Sequence, residues 1–291
     1  MDHGDRRGPE HESAPSSFRR FQRDPLNPRR SLRVLLAEDS PVNQKVAVTL
    51  LEKWGHRVTV AGTGKRAVAD LEQGTFDLII MDVQMPEMDG LEATTAIRQR
   101  ERSTGEHIPI VALTAHAMKG DRQRCLAAGM DAYVTKPVHT EELFDVIEQI
   151  TGGSTPHDPN NREREQENES SESTSLDWNA ALAAVDGDQE LLRQVIEVLL
   201  EECPLLLSQV RQATEQNDAA TLRRAAHTLK GSLRLFGPTS QAELAYELEK
   251  LGAEGQLQEG SNLVDELAGQ LSRLVAVLEA FLRDGGETGG R

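Results

Sequence analysis

The chain has 291 residues, with 48 acidic against 32 basic side chains and a formal net charge of −16 at pH 7. So negative a balance disfavours a broad nucleic-acid footprint, and an aromatic content of 3% removes the stacking platforms that many single-strand binders use. The length suits two ordinary domains, each able to bury its own core.

Cys125 and Cys203 stand apart, without a neighbouring Cys or paired His, which points to a reducing compartment and against a disulfide framework or a zinc site. No window approaches the roughly 18 consecutive apolar residues of a membrane span, and the N-terminus lacks the apolar core of a signal peptide. A soluble, cytoplasmic chain is therefore expected.

Residues 1–31 are rich in Pro, Arg and Ser and have no periodicity, so they are expected to be a disordered tail. From 32 to 150, short apolar strands alternate with helical patterns: "LRVLLAE", a helix over 41–54, "HRVTVA", "GKRAVADLEQ", "FDLIIMD", a helix over 90–102, "IPIVALT", a helix over 116–128, "AYVTKP", and a helix over 140–150. Five strands joined by helices require right-handed crossovers, which gives an α/β domain with a doubly wound parallel sheet. Residues 151–175 contain no aliphatic or aromatic side chain and form a polar, acidic linker with a span of about 25–30 Å as a flexible coil. From 176 to 284 the pattern is all-α, a bundle built on four segments with three- and four-residue apolar spacing: "DQELLRQVIEVLLEE", "CPLLLSQVRQATEQ", "AATLRRAAHTLKGSLRLF" and "LVDELAGQLSRLVAVLEAFL". "LDWNAALAAV" and "SQAELAYELEKLGAEG" add helices, with Gly252 and Gly255 as stops, and 285–291 fray.

Ligands of such sheets bind outside the carboxyl ends of the strands. There this sequence places Glu38 and Asp39 after the first strand, Asp82 after the third, Thr114 after the fourth and Lys136 after the fifth. Three close carboxylates repel one another unless a hard dication sits among them, and Mg²⁺ fits because it takes oxygen ligands beside phosphate. Asp82, on the most apolar strand, can then act as nucleophile towards a phosphoryl group, with Lys136 and Thr114 on its oxygens and the backbone carbonyl of Gln84 completing the metal shell. "GTGK" at 62–65 lacks the first glycine of a phosphate loop and has Arg66 where Ser or Thr is needed.

"LLAEDSPVNQKV", "DLIIMDVQMPEMDG", "IVALTAHA" and "YVTKP" resemble the response-regulator receiver domain, a flavodoxin-like fold, over about 120 residues in order and spacing. The resemblance implies metal binding by Glu38 and Asp39, a phosphoaspartate at Asp82, phosphoryl contacts from Thr114 and Lys136, and Tyr133 as the switch aromatic that turns inward with Thr114.

In the helix expected over 219–236, Leu222, Ala225, Leu229, Ser232, Leu233 and Phe236 share one face at about 100° per residue. His227 falls opposite, flanked by Arg223, Arg224, Lys230, Gly231 and Arg234, so an exposed imidazole on a basic face is expected. A mid-helix glycine costs about 1 kcal/mol relative to alanine, and Gly231 is explained if a docking protein must come close to that face. "HTLKGSLRLFG" resembles the histidine phosphotransfer domain. That resemblance implies phosphorylation of His227, a phosphoryl contact from Lys230, clearance for a receiver at Gly231, and Ser232 packed beneath.

A receiver followed by such a bundle resembles the C-terminal part of a hybrid sensor kinase or a free-standing relay protein. With no segment resembling an ATP-binding kinase domain, the chain is read as a phosphotransfer intermediate. Phosphoryl is expected from an upstream histidine kinase on Asp82, and through His227 to or from a downstream receiver. Exchange between Asp82 and His227 of one chain, the direction of flow and the oligomeric state stay open. Two alternatives are a non-catalytic docking module and an Asp-nucleophile phosphatase, the latter disfavoured because Gln84 occupies the place of a second acid.

Overall fold

A computed structural model describes residues 31–114, 119–136, 138–152 and 176–284. The expected tails, most of the linker and the start of the 116–128 helix lie outside the described residues.

The first unit runs β1 (Arg33–Ala37), α1 (Pro41–Lys53), β2 (Arg57–Ala61), α2 (Gly64–Gln73), β3 (Leu78–Asp82), α3 (Gly90–Thr104), β4 (Ile110–Thr114), α4 (Lys119–Ala128), β5 (Ala132–Thr135) and α5 (Thr140–Ile150). All strand pairings are parallel, in the order β2-β1-β3-β4-β5. β3 and β4 are buried at every position, as the continuous apolar runs of strands covered on both faces require. Alternation along each strand divides the core. Val34, Leu36, Ile80, Val111 and Leu113 lie under α1 and α5, and Leu35, Ile79, Met81, Ile110 and Ala112 under α2, α3 and α4. The strand order reverses between β1 and β3, so their carboxyl ends open onto one crevice.

The second unit comprises α6 (Trp178–Ala184), α7 (Gln189–Glu215), α8 (Ala219–Leu233), α9 (Ser240–Glu254) and α10 (Gly260–Arg283). Asp177, Asp188, Asp218 and Thr239 cap the first four of these helices by accepting backbone N–H groups. Trp178 stacks on Phe281 at 4.4 Å and meets Phe236 edge-on at 5.9 Å, which fastens the short α6 across the bundle end.

Three expectations change. The segments either side of Pro204 form one 27-residue helix, because the proline sits on its exposed side while Leu199, Cys203, Leu206 and Val210 keep the core stripe unbroken. The helix carrying His227 ends at Leu233 and tightens to a 3₁₀ turn over Arg234–Phe236. Gly255 does end α9, at φ 71°, but Gly252 lies within that helix. A Cβ on Gly252 would stand 2.7 Å from the backbone nitrogen of Arg223, so this glycine sets how closely α9 approaches α8.

The two units touch. α1 packs along α7 and meets α8, and the apolar cluster beneath α1 and α5 is continuous with the core of the bundle.

Candidate functional site

The acidic crevice assembles as the strand ends predict. Glu38, Asp39 and Asp82 each present an oxygen within 4.8 Å of the others. Lys136 Nζ reaches Asp82 Oδ2 and Glu38 Oε2, both at 2.7 Å. Glu38 is further held by the Asn43 side-chain amide (3.0 Å) and the Ser40 backbone N–H (3.2 Å), both donating to Oε1. Asp82 Oδ1 accepts the backbone N–H of Gln84 at 3.2 Å, which fastens the loop beside it. Thr114 is buried at the end of β4, and its carbonyl accepts the Lys136 N–H at 2.8 Å. Tyr133 is half-buried on the sheet face away from α1, with the Arg122 guanidinium 5.3 Å from its ring centre.

Burial, with Glu38 and Asp39 adding to it, pushes the Asp82 carboxyl up to about 8 against the pull of Lys136. Burial and then Glu38 raise Asp39 to about 6. Burial opposes charge on Lys136 too, but Asp82 and Glu38 outweigh it and hold the ammonium above its usual range. Three carboxylates against one ammonium leave two negative charges when all are ionised. Glu38 Oε2 is buried without a hydrogen bond of good geometry. This donor set fits a hard divalent cation.

The bundle's half of the site differs from the helical projection. His227 is buried, and so are Thr228 and Lys230; of the flanking residues only Arg223 and Arg224 are exposed, while Gly231 and Arg234 are half-buried. The projection treated α8 as having one covered side, whereas α7, α9 and the receiver-side α1 all pack on it. Lys230 Nζ is paired with Glu249 Oε2 and lies 5.4 Å from the Tyr246 ring.

Glu249, on α9, also meets His227: its Oε1 is 2.8 Å from Nδ1. Although burial disfavours its charge, hydrogen bonding from His227 and the nearby Lys230 hold Glu249 down at about 2. A carboxylate only accepts, so Nδ1 carries the hydrogen and Nε2 keeps its lone pair. Burial also lowers the His227 pKa despite Glu249, and this favours a neutral, nucleophilic ring.

Glu249 was missed in the sequence reading, although a signal existed. It lies on the buried stripe Ala242, Ala245, Leu248, Gly252, where a charged side chain needs a partner. Glu202 is similar: it stands between Leu199 and Leu206 on the buried side of α7 and accepts from Ser232 Oγ at 3.0 Å.

The two halves meet. Thr228 Oγ1 donates to Asp39 Oδ2 at 3.0 Å, and Ser40 Oγ lies 3.1 Å from Ser232 Oγ. A Cβ on Gly231 would stand 3.6 Å from Asn43 Nδ2. A small cavity of about 50 Å³ is lined by Glu38, Asn43 and Lys136 from one unit and by His227, Lys230 and Gly231 from the other.

Residues 34–148 match the family model of the response regulator receiver domain, and residues 194–280 that of the Hpt domain. The chain is 34% identical over 248 residues to the sensor histidine kinase GacS of Pseudomonas protegens, covering 85% of this chain and 27% of that protein. It is 30% identical over 254 residues to the signal transduction histidine-protein kinase BarA of Escherichia coli K12, covering 87% of this chain and 27% of BarA. The chain thus spans about a quarter of the length of these relatives. The crystal structure of the receiver domain of sensor histidine kinase PA1611 from Pseudomonas aeruginosa PAO1, with magnesium in its active-site cleft, is 42% identical over 41% of this chain and 97% of that one, at a TM-score of 0.38. No helix among the described residues is long and apolar enough to cross a membrane. The chain joins a response regulator receiver domain, over residues 34–148, to an Hpt domain, over residues 194–280.

Proposed function

We propose that Asp82, in a receiver spanning 32–150, and His227, in a bundle spanning 176–284, exchange a phosphoryl group within one chain. The observation that carries this is the shared cavity, which Lys136 and Glu38 line from one side and His227 and Lys230 from the other. An upstream histidine kinase supplies the phosphoryl group to Asp82, and a further receiver exchanges it with His227.

In the step between them, the Nε2 lone pair attacks phosphorus, the bond from phosphorus to the Asp82 oxygen breaks, and its electrons return to the carboxylate. Glu249 keeps the Nδ1 proton in place and offsets the positive charge the ring gains. Lys136 neutralises the oxygens at the Asp82 end, and transfer of this kind depends mainly on positioning and charge. Glu38, Asp39 and Asp82, with the Gln84 carbonyl, would hold Mg²⁺, which supplies further charge neutralisation. Tyr133 and Thr114 carry the phosphorylation state to the receiver surface.

Acetyl phosphate with Mg²⁺ tests the reading. Wild type acquires acid-labile, alkali-stable label on His227, His227→Gln keeps only alkali-labile label on Asp82, and Asp82→Asn takes up neither. Label on His227 in the Asp82→Asn protein would overturn it.

A further inference from the structure

Among the described residues, the ion pair that crosses the surface joining the two units lies at its far end from the chemistry. At the amino end of α1 the contacts are small groups: Ser40 against Ser232, and Asn43 facing Gly231. Behind them Val46, Ala47 and Val138 meet Ala184 and Leu235, an apolar seam without directionality. At the carboxyl end, about 20 Å away by helix rise, Lys53 pairs with Asp188 of the bundle.

Asp188 is not a free surface acid. Its Oδ1 caps α7 by accepting the Leu191 N–H at 2.9 Å, which leaves Oδ2 aimed at Lys53. Asp186 and Gly187 precede it at φ 58° and 72°, two successive left-handed residues that fix the turn presenting these carboxylates. Lys53 also acts on the Asp186 charge, beside Glu141 of α5. The side chains of Lys53 and Asp188 are 43% and 28% exposed, so the pair forms on the rim, where a charge steers encounter and rejects a partner of the wrong sign.

We propose that Lys53 is a specificity-determining residue for the exchange between Asp82 and His227, matching this receiver to this bundle through Asp188 and Asp186. Resting on the relay reading above, the assignment adds the element that distinguishes the chain's own receiver from another of similar fold. The apolar seam supplies contact and the rim supplies choice. Loss of one exposed ion pair slows transfer only about two- to fivefold, whereas reversing the Lys53 charge sets it against two carboxylates and slows transfer roughly tenfold or more.

The test times transfer inside one full-length chain. Acetyl phosphate with Mg²⁺ loads Asp82, and label on Asp82 and on His227 is followed against time at low and high salt. Lys53→Glu should slow the passage to His227, less so at high salt, while loading of Asp82 is unchanged. Adding Asp186→Asn and Asp188→Asn to the same chain, which keeps the helix cap, should recover most of that loss. If Lys53→Glu leaves the rate unchanged, or the two effects simply multiply, the Lys53 assignment fails while the relay stands. If wild type carries no label on His227, the relay reading fails and takes the assignment with it. Thermal melts of each variant separate slowed transfer from lost fold.

Discussion

The Nδ1 of His227 lies 2.8 Å from Oε1 of Glu249, and the other oxygen of the same carboxylate holds the Lys230 ammonium. One acid on α9 therefore orients the imidazole and neutralises the cation beside it. Glu249→Ala leaves Lys230 buried and unpaired, and breaking such a pair costs about 3–5 kcal/mol. Glu249→Gln keeps the shape without the charge. It should slow phosphotransfer to His227 and shift the ring's pKa further down, because an attraction that favours the charged ring is gone. Nitrogen NMR of His227 should also show a hydrogen shared between both ring positions in place of one held on Nδ1. An unchanged tautomer and transfer rate would remove Glu249 from the mechanism.

Gly231 faces Asn43 across the junction, with 3.6 Å between that amide nitrogen and an added Cβ. That is ordinary van der Waals contact. Gly231→Ala should therefore transfer phosphoryl at close to the wild-type rate and gain up to about 1 kcal/mol of helix stability. Gly231→Gln should fold as well, but its longer side chain has to displace α1. Transfer should slow by about tenfold or more, since an ångström of misplacement costs that much. Equal rates for the alanine and glutamine variants would show that clearance is not the role of this glycine.

Gly252 is the tighter of the two. A methyl group there meets the Arg223 backbone at 2.7 Å, and backbone cannot rotate aside. Gly252→Ala should destabilise the bundle by about 1–3 kcal/mol in urea unfolding, despite alanine's higher helix propensity. It should also move Glu249, one turn away on α9, and so slow transfer to His227. A stabilised variant would mean that the two helices are free to separate.

Burial, with Asp39 and Glu38 across the junction adding to it, raises the Glu202 carboxyl to about 7 from its ordinary 4.5 despite the hydrogen bond from Ser232. A raised acid contributes stability that is fully present below its unfolded pKa and is lost as pH rises through the folded one. Without added metal, stability should therefore fall between about pH 4.5 and 7. Glu202→Gln should make that fall shallower, though Asp39 and Asp82 keep contributions of the same sign. Urea unfolding at pH 5 and pH 7.5 measures the difference, and identical slopes in both proteins would place the Glu202 titration elsewhere.

The receiver half was legible because its chemistry sits at strand ends. Once strands of period two and buried runs are recognised, Glu38, Asp39, Asp82, Thr114 and Lys136 are brought to one edge by topology alone, and in the fold they stand there. The bundle half was legible only in outline. A helix has no edge that collects residues, so what His227 faces depends on which neighbours pack on α8 and from which side. A single-helix projection assigns one covered face, and α8 has neighbours on several.

By itself the sequence determined the parallel sheet, the helical bundle and the acidic crevice, since these follow from local periodicity and from residue types at element ends. Only the tertiary structure decided that His227 and Lys230 are buried and share Glu249, that Gly252 rather than Gly231 is the close-packed glycine, and that α1 lies against the bundle between Ser232 and Asp188. The physical reason is range. Hydrophobic period and capping act within a few residues of chain, whereas the charge on a buried side chain is set by partners that packing brings from 19, 22 or 54 residues away.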